Sequence, residues 1–193
     1  ETTDKVVAIG ASTGGTEAIR TVIEPLPVGC PGVVIVQHMP AGFTRMFAER
    51  MNQLCQMEVK EGADGDRVIP GRVLIAPGGL HMRVIRSGGH YQVTCRPGEL
   101  VKGHCPSVEV LMESVAKACG ANAVGAMLTG MGADGSGGMK AMRDAGARCI
   151  AQDEKTSVVF GMPKEAFANG GAERLVPLED IPGDILRLLA RKQ

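Results

Sequence analysis

Aromatic side chains are almost missing from this chain: its 193 residues include four Phe, one Tyr and no Trp. A platform that stacks single-stranded bases or RNA needs several such rings, so that class of binder is excluded. Net charge is missing as well, with 21 Lys and Arg against 21 Asp and Glu, which removes the electrostatic pull toward nucleic acid or an anionic membrane. No apolar run is long enough to span a bilayer; Val33-Val34-Ile35-Val36 is typical of the longest. The six Cys, at 30, 55, 95, 105, 119 and 149, form no C-x-x-C pair. Neither a disulfide framework nor a metal or other cofactor is therefore expected. Cys119 and Cys149 read as small buried hydrophobes, and a reducing cytoplasm fits this usage. Glu1-Thr2-Thr3-Asp4 is neither an initiator nor a signal peptide, so the chain reads as a piece excised from something longer.

Glycine is what the chain has in excess. Its 27 Gly are about twice the usual ~7% share, without a collagen period, and predict many tight turns. With 44% apolar residues the chain can bury a core of its own, and its length is that of one domain, residues 1–193.

The recurring pattern is strand, Gly-rich turn, helix. Residues 5–9, 33–36, 72–76, 123–128 and 148–152 read as buried strands, with a further strand near 175–178. Helical spacing joins Ile19, Val22, Ile23 and Leu26, with Pro25 ending that helix, and places Phe43, Met46, Phe47, Met51 and Leu54 on one face of a second. A third helix runs from near Ser107 to Gly120, a fourth from 139 to 145, and shorter ones follow Pro163 and begin near Asp184. Residues 82–86 and 91–95 alternate around Ser87-Gly88-Gly89-His90, a hairpin signal. The expected fold is α/β, doubly wound: a mainly parallel sheet with helices on both faces and one antiparallel hairpin.

In such sheets the chemistry gathers at the carboxyl ends of the strands. The first strand ends in Gly10-Ala11-Ser12-Thr13-Gly14-Gly15, the second in Gln37-His38-Met39-Pro40, and the 123–128 strand in Thr129-Gly130-Met131-Gly132-Ala133-Asp134-Gly135. A Ser, a His and an Asp thus share one edge. Gly10 to Gly14 fits G-x-S-x-G, a bend that exposes a Ser hydroxyl at a helix start. Such a hydroxyl needs a base, His38, and the base needs a carboxylate to fix its tautomer, Asp134. Backbone N–H groups would meet the oxyanion, with Thr13 and Met131 as candidates. Duller readings stand beside these. Ser12 can be a helix cap or line a phosphate cradle built from Gly10, Gly14 and Gly15, His38 an ordinary loop histidine, and Asp134 a turn former. His81 and Asp153 also follow strands and compete for the base and acid roles. His90 sits in the hairpin turn, and His104 beside Cys105 reads as loop.

Longer stretches carry a resemblance. Residues 8–15, Val36-Gln37-His38-Met39, Ala76-Pro77-Gly78-Gly79-Leu80-His81-Met82, residues 128–135, Gln152-Asp153-Glu154 and residues 156–163 together resemble, in order, the catalytic domain of bacterial chemoreceptor protein-glutamate methylesterases. The resemblance implies a Ser–His–Asp triad at Ser12, His38 and Asp134. It implies hydrolysis of glutamate methyl esters on the cytoplasmic helices of chemoreceptors, with glutamine deamidation as a further activity in the family. It also implies a phosphorylatable N-terminal receiver domain and a linker that this chain does not contain. The competing expectation is a nucleotide-binding α/β module built on the Gly10 to Gly15 turn. Its weakness is that the spacing is not G-x-G-x-x-G, and no acidic residue ends the second strand to hold a ribose.

Overall fold

The computed structural model of this chain describes residues 5–191, so the chain start at Glu1 to Asp4 lies outside the described residues. Seven parallel strands form one sheet. In chain order they are β1 (Val6–Ala11), β2 (Gly32–Gln37), β3 (Glu58–Glu61), β4 (Arg72–Ile75), β7 (Ala123–Met127), β8 (Arg148–Gln152) and β9 (Leu175–Val176). Between β4 and β7 the chain adds a separate antiparallel hairpin, β5 (His81–Ser87) and β6 (His90–Arg96). Among the described residues six α-helices complete the fold: α1 (Gly15–Ile23), α2 (Phe43–Leu54), α3 (Val108–Cys119), α4 (Ser136–Asp144), α5 (Met162–Ala168) and α6 (Ile181–Ala190), with a single 3-10 turn at Leu178–Asp180 before the last.

The strand order is β3-β4-β2-β1-β7-β8-β9. From β1 the chain passes to β2, out to the edge strand β3 and back in to β4; it then crosses to β7 on the other side of β1 and continues outward through β8 and β9. Adjacent crossovers diverge between β1 and β7, which opens a crevice at their carboxyl ends.

β1 shows how the two layers are made. Its residues are all buried, yet they alternate in partner: Val6 and Ala8 face one core, Val7, Ile9 and Ala11 the other. The first core holds α3, α4, α5 and the inner face of the hairpin, through residues such as Leu111, Met142, Met162 and Val84. The second holds α1, α2 and α6, through Ile19, Met51 and Ile185. Complete burial of each such Ile, Leu or Met contributes about 1.5–3 kcal/mol before entropy is counted.

Several boundaries differ from the sequence reading. β3 was not expected, because Glu-Val-Lys-Glu buries only Val59 and its charges belong to a sheet edge. Phe43 and Met46 are exposed, at 56% and 61%; the buried stripe of α2 is Thr44, Phe47, Ala48 and Met51, one residue round the helix. α4 begins at Ser136, three residues early, because Gly137 and Gly138 carry no apolar signal. Gly138 must nevertheless stay small, since a Cβ there would lie 2.9 Å from that of Met112 on α3. α6 likewise begins at Ile181, with Pro182 in its first turn. The last strand is only Leu175–Val176, cut short by Pro177.

Candidate active site

β1, β2 and β7 end side by side, and backbone hydrogen bonds stitch their ends together. Ser12 N–H donates to Thr129 O (2.9 Å), and His38 N–H to Ala11 O (3.3 Å). The buried Gln37 reaches across with its side-chain amide, donating from Nε2 to Ser12 O at 2.8 Å. Thr129 Oγ1 lies 3.0 Å from Thr13 O, to which it donates, and accepts from Val159 N–H at 2.9 Å. The Ser12 turn is thus held from both sides. It bends because Gly14 adopts φ 79°, in the left-handed region open to glycine, and α1 starts at the next residue. Gly130 lets β7 approach, since a Cβ there would lie 2.9 Å from Ser12 Cβ and 3.0 Å from Ser12 N.

His38 and Asp134 meet across this crevice, Nε2 to Oδ2 at 2.6 Å, with the histidine side chain 8% and the aspartate 1% exposed. The carboxylate accepts three further bonds, all from the start of α3. Val108 N–H donates to Oδ2 (2.8 Å), Ser107 Oγ to Oδ1 (2.7 Å) and Glu109 N–H to Oδ1 (3.0 Å). Burial by itself would raise the Asp134 pKa. The bonds from His38, Ser107 and the two amides outweigh it, and the group is held below its ordinary value of 3.8. An ionised Asp134 also lies at the positive end of the α3 dipole. Because the carboxylate accepts, Nε2 carries the proton and Nδ1 the lone pair. Nδ1 is buried and has no hydrogen-bond partner among the described residues. Among the described residues Ser12 Oγ likewise has no hydrogen-bond partner, nor do the backbone N–H groups of Thr13 and Met131.

The rivals are engaged elsewhere. His81 is buried with both ring nitrogens committed to backbone: Nδ1 accepts from Ser107 N–H (3.3 Å) and Nε2 donates to Glu99 O (2.7 Å). Asp153 accepts from Thr156 N–H (3.1 Å) and Thr156 Oγ1 (2.6 Å), closing its own turn. His90 lies at the far end of the hairpin. His104 is the residue that the sequence reading missed, for its ring stacks on that of His38 with centroids 3.5 Å apart and planes within 8°. Adjacency to Cys105 suggested nothing of this, because the contact spans 66 residues. Ser107 was legible as a helix start, and its hydroxyl does accept from Val110 N–H (3.4 Å), but its bond to Asp134 was not.

A cleft of about 320 Å³ opens beside His38, lined by Met39, Pro40, Leu100, Gly103, His104, Cys105 and Pro106. A larger cavity, about 530 Å³, lies between β5 and α3 and includes none of Ser12, His38, His104, Ser107 or Asp134. The smaller cleft is therefore the one beside the His38–Asp134 pair. Among the described residues no three His, Cys, Asp or Glu side chains come together as a metal-holding group, and no helix is long and apolar enough to cross a membrane.

Comparison with known proteins places the chain. Residues 7–185 match the family model for CheB methylesterase. A protein-glutamate methylesterase/protein-glutamine glutaminase of Syntrophotalea carbinolica is 67% identical over all 193 residues of this chain, which cover 55% of that relative. A relative of the same description, numbered 2, from Dechloromonas aromatica is 59% identical over 185 residues, 96% of this chain and 52% of its own length. The chain thus spans about half the length of the curated relatives it matches. The crystal structure of the Thermotoga maritima CheB methylesterase catalytic domain superposes with a TM-score of 0.92 at 36% identity, covering 95% of this chain and 98% of that one. With the family match, the sequence identities and the shared fold in agreement, the chain belongs to the CheB methylesterase family.

Proposed function

We propose that this chain is the catalytic domain of a longer protein and hydrolyses glutamate methyl esters on the cytoplasmic helices of chemoreceptors, with Ser12 as nucleophile, His38 as base and Asp134 as its orienting acid. The observation that carries the reading is the 2.6 Å bond between His38 Nε2 and Asp134 at the strand ends beside Ser12, which leaves Nδ1 without a partner. The substrate comes from the relatives, whose names state the esterase and glutaminase activities.

In this mechanism Ser12 Oγ adds to the ester carbonyl carbon as its proton passes to His38 Nδ1. The N–H groups of Thr13 and Met131 receive the oxyanion; both are free to donate, and Thr13 directly follows the nucleophile at the start of α1. Asp134, kept ionised by α3, stabilises the imidazolium. Collapse breaks the carbon–methoxy bond, and His38 returns the proton to the departing methanol. Water then repeats the sequence on the acyl-Ser12: its proton goes to Nδ1, its oxygen to the carbonyl carbon, and Ser12 leaves reprotonated. Glutamate and methanol are released. A receptor glutamine would follow the same course with ammonia leaving.

The nucleotide-binding reading has less support. The Ser12 turn is closed on itself by Gly15 N–H donating to Ser12 O (2.7 Å), and the side of Gly14 where a Cβ would lie is occupied by Val158. The remaining half of the protein is proposed to contain a receiver domain that regulates this one. A fluorophosphonate probe tests the reading most directly. An activated Ser12 is labelled, and Ser12→Ala abolishes both labelling and esterase activity while the protein stays folded. Ester hydrolysis that survives Ser12→Ala at most of the wild-type rate overturns the assignment.

A further inference from the structure

Two imidazoles lying flat against each other beside one carboxylate are more than this mechanism requires. His104 is not brought there by chance of a loose loop. Val101 and His104 exchange both backbone hydrogen bonds, at 2.9 and 3.0 Å, around Lys102 and Gly103. Both central residues have positive φ, 53° and 81°, as a type I′ turn demands. Lys102 is the one non-glycine residue with positive φ among the described residues, and such positions persist only where the surrounding structure holds them. The next residue, Cys105, is pinned through its carbonyl by Gly79 N–H (3.2 Å), and Ser107 two residues later holds Asp134. The turn, the loop and α3 together set the His104 ring in one place.

We propose that His104 is a positioning residue for the ester hydrolysis: its ring forms a flat wall that fixes the plane of His38 while Asp134 fixes its edge. The inference rests on His38 being the base. An imidazole held only through Nε2 can still swing about that bond, which would change where Nδ1, the proposed base atom, points. A ring stacked at 3.5 Å removes that freedom and excludes water from one face of His38. The wall must also be uncharged when His38 becomes an imidazolium, because two cations at this separation repel. The local groups favour that. Burial lowers the His104 pKa, the repulsion of His38 lowers it further, and the attraction of Asp134 opposes them without reversing the shift. Those two are the titratable groups that act on His104 electrostatically; Cys105 lines the same cleft, its thiol pushed up by burial and so kept neutral.

His104→Ala removes the wall and His104→Phe keeps a flat uncharged ring without nitrogens. The probe is the fluorophosphonate labelling rate of Ser12, with kcat and KM for p-nitrophenyl acetate, each followed against pH. For His104→Ala, kcat and labelling are expected to fall about ten- to a hundredfold with KM nearly unchanged, the scale of losing a near-attack geometry. The acid limb should also move to higher pH, because water at the opened face favours protonated, inactive His38. His104→Phe should recover most of the rate and the original limb. His104→Ala labelling at the wild-type rate with an unmoved limb overturns the inference, as does His104→Phe falling as far as His104→Ala, which would give the role to the nitrogens. A wild-type chain that never labels refutes the esterase reading itself, and this inference falls with it.

Discussion

Asp134→Asn separates stability from chemistry at a single atom. The native carboxylate accepts four hydrogen bonds, two on each oxygen. An amide of the same shape keeps one acceptor. If that oxygen stays with Ser107 and Glu109, the new NH₂ points at His38 Nε2 and at the Val108 N–H. Val108 loses its acceptor, at a cost of about 1–3 kcal/mol, and the start of α3 loses its negative charge, about 0.3–1 kcal/mol. The folded state should therefore weaken by about 1–4 kcal/mol, measurable as a lower urea midpoint with an unchanged slope. The effect on rate is larger. His38 can accept the amide only by giving up its Nε2 proton and carrying it on Nδ1, the atom proposed to act as base. Inverting that tautomer is expected to lower kcat by ~10⁴, or ~5.5 kcal/mol of transition-state stabilisation. The assay is steady-state ester hydrolysis on protein shown to be folded at the assay temperature, with Asp153→Asn as the control. Among the described residues the Asp153 carboxylate accepts only from Thr156, within its own turn, so its loss should leave kcat nearly intact. A folded Asp134→Asn protein within tenfold of wild type would refute the reasoning, and so would a larger loss from Asp153→Asn.

Other expectations follow from the same geometry. Gly130→Ala places a methyl 2.9 Å from Ser12 Cβ and 2.3 Å from Met162 Sδ; it should destabilise by about 1–3 kcal/mol and reduce kcat, checked by denaturation and turnover together. Asp134 has a lowered folded pKa, so the stability it contributes is complete above the ordinary value of 3.8 and is lost as pH falls through the lower native one. Urea midpoints measured down that range should decline less steeply in Asp134→Asn than in wild type. Free glutamate methyl ester should be a far poorer substrate by kcat/KM than a methylated receptor fragment. A single methyl offers only ~1 kcal/mol of discrimination, so remote contacts must orient the carbonyl. Equal efficiencies would favour a general carboxylesterase.

The strand ends were legible because buried strands announce themselves, and the sheet rule then places whatever follows them. The proposed site residues Ser12, His38 and Asp134 were picked out that way. What surrounds them was not. The grip of Gln37 on Ser12 spans 25 residues and that of Ser107 on Asp134 spans 27, and no local periodicity encodes such contacts. His104 sits on a turn whose own sequence, Lys102-Gly103, suggests only a loop, and its partner is fixed by two separate elements. The same limit explains β3: an edge strand with one buried residue lacks the pattern that marked its neighbours. His81 was a fair rival until its backbone partners were visible.

The carboxylate that orders His38 also caps the first turn of α3, so one group answers to two masters. The amides of Val108 and Glu109 point at it and at nothing else. They therefore form a spectroscopic tap on the site, readable without substrate. Protonation of the His38–Asp134 pair, acylation of Ser12, or a partner docking over the cleft must each redistribute charge on Asp134, and the ¹H and ¹⁵N shifts of those two amides will register it. Their hydrogen-exchange rates carry the complementary message. When the start of α3 frays, Asp134 loses three of its four donors at once, and on the proposed mechanism a population that exchanges there is a population that is not ready to turn over.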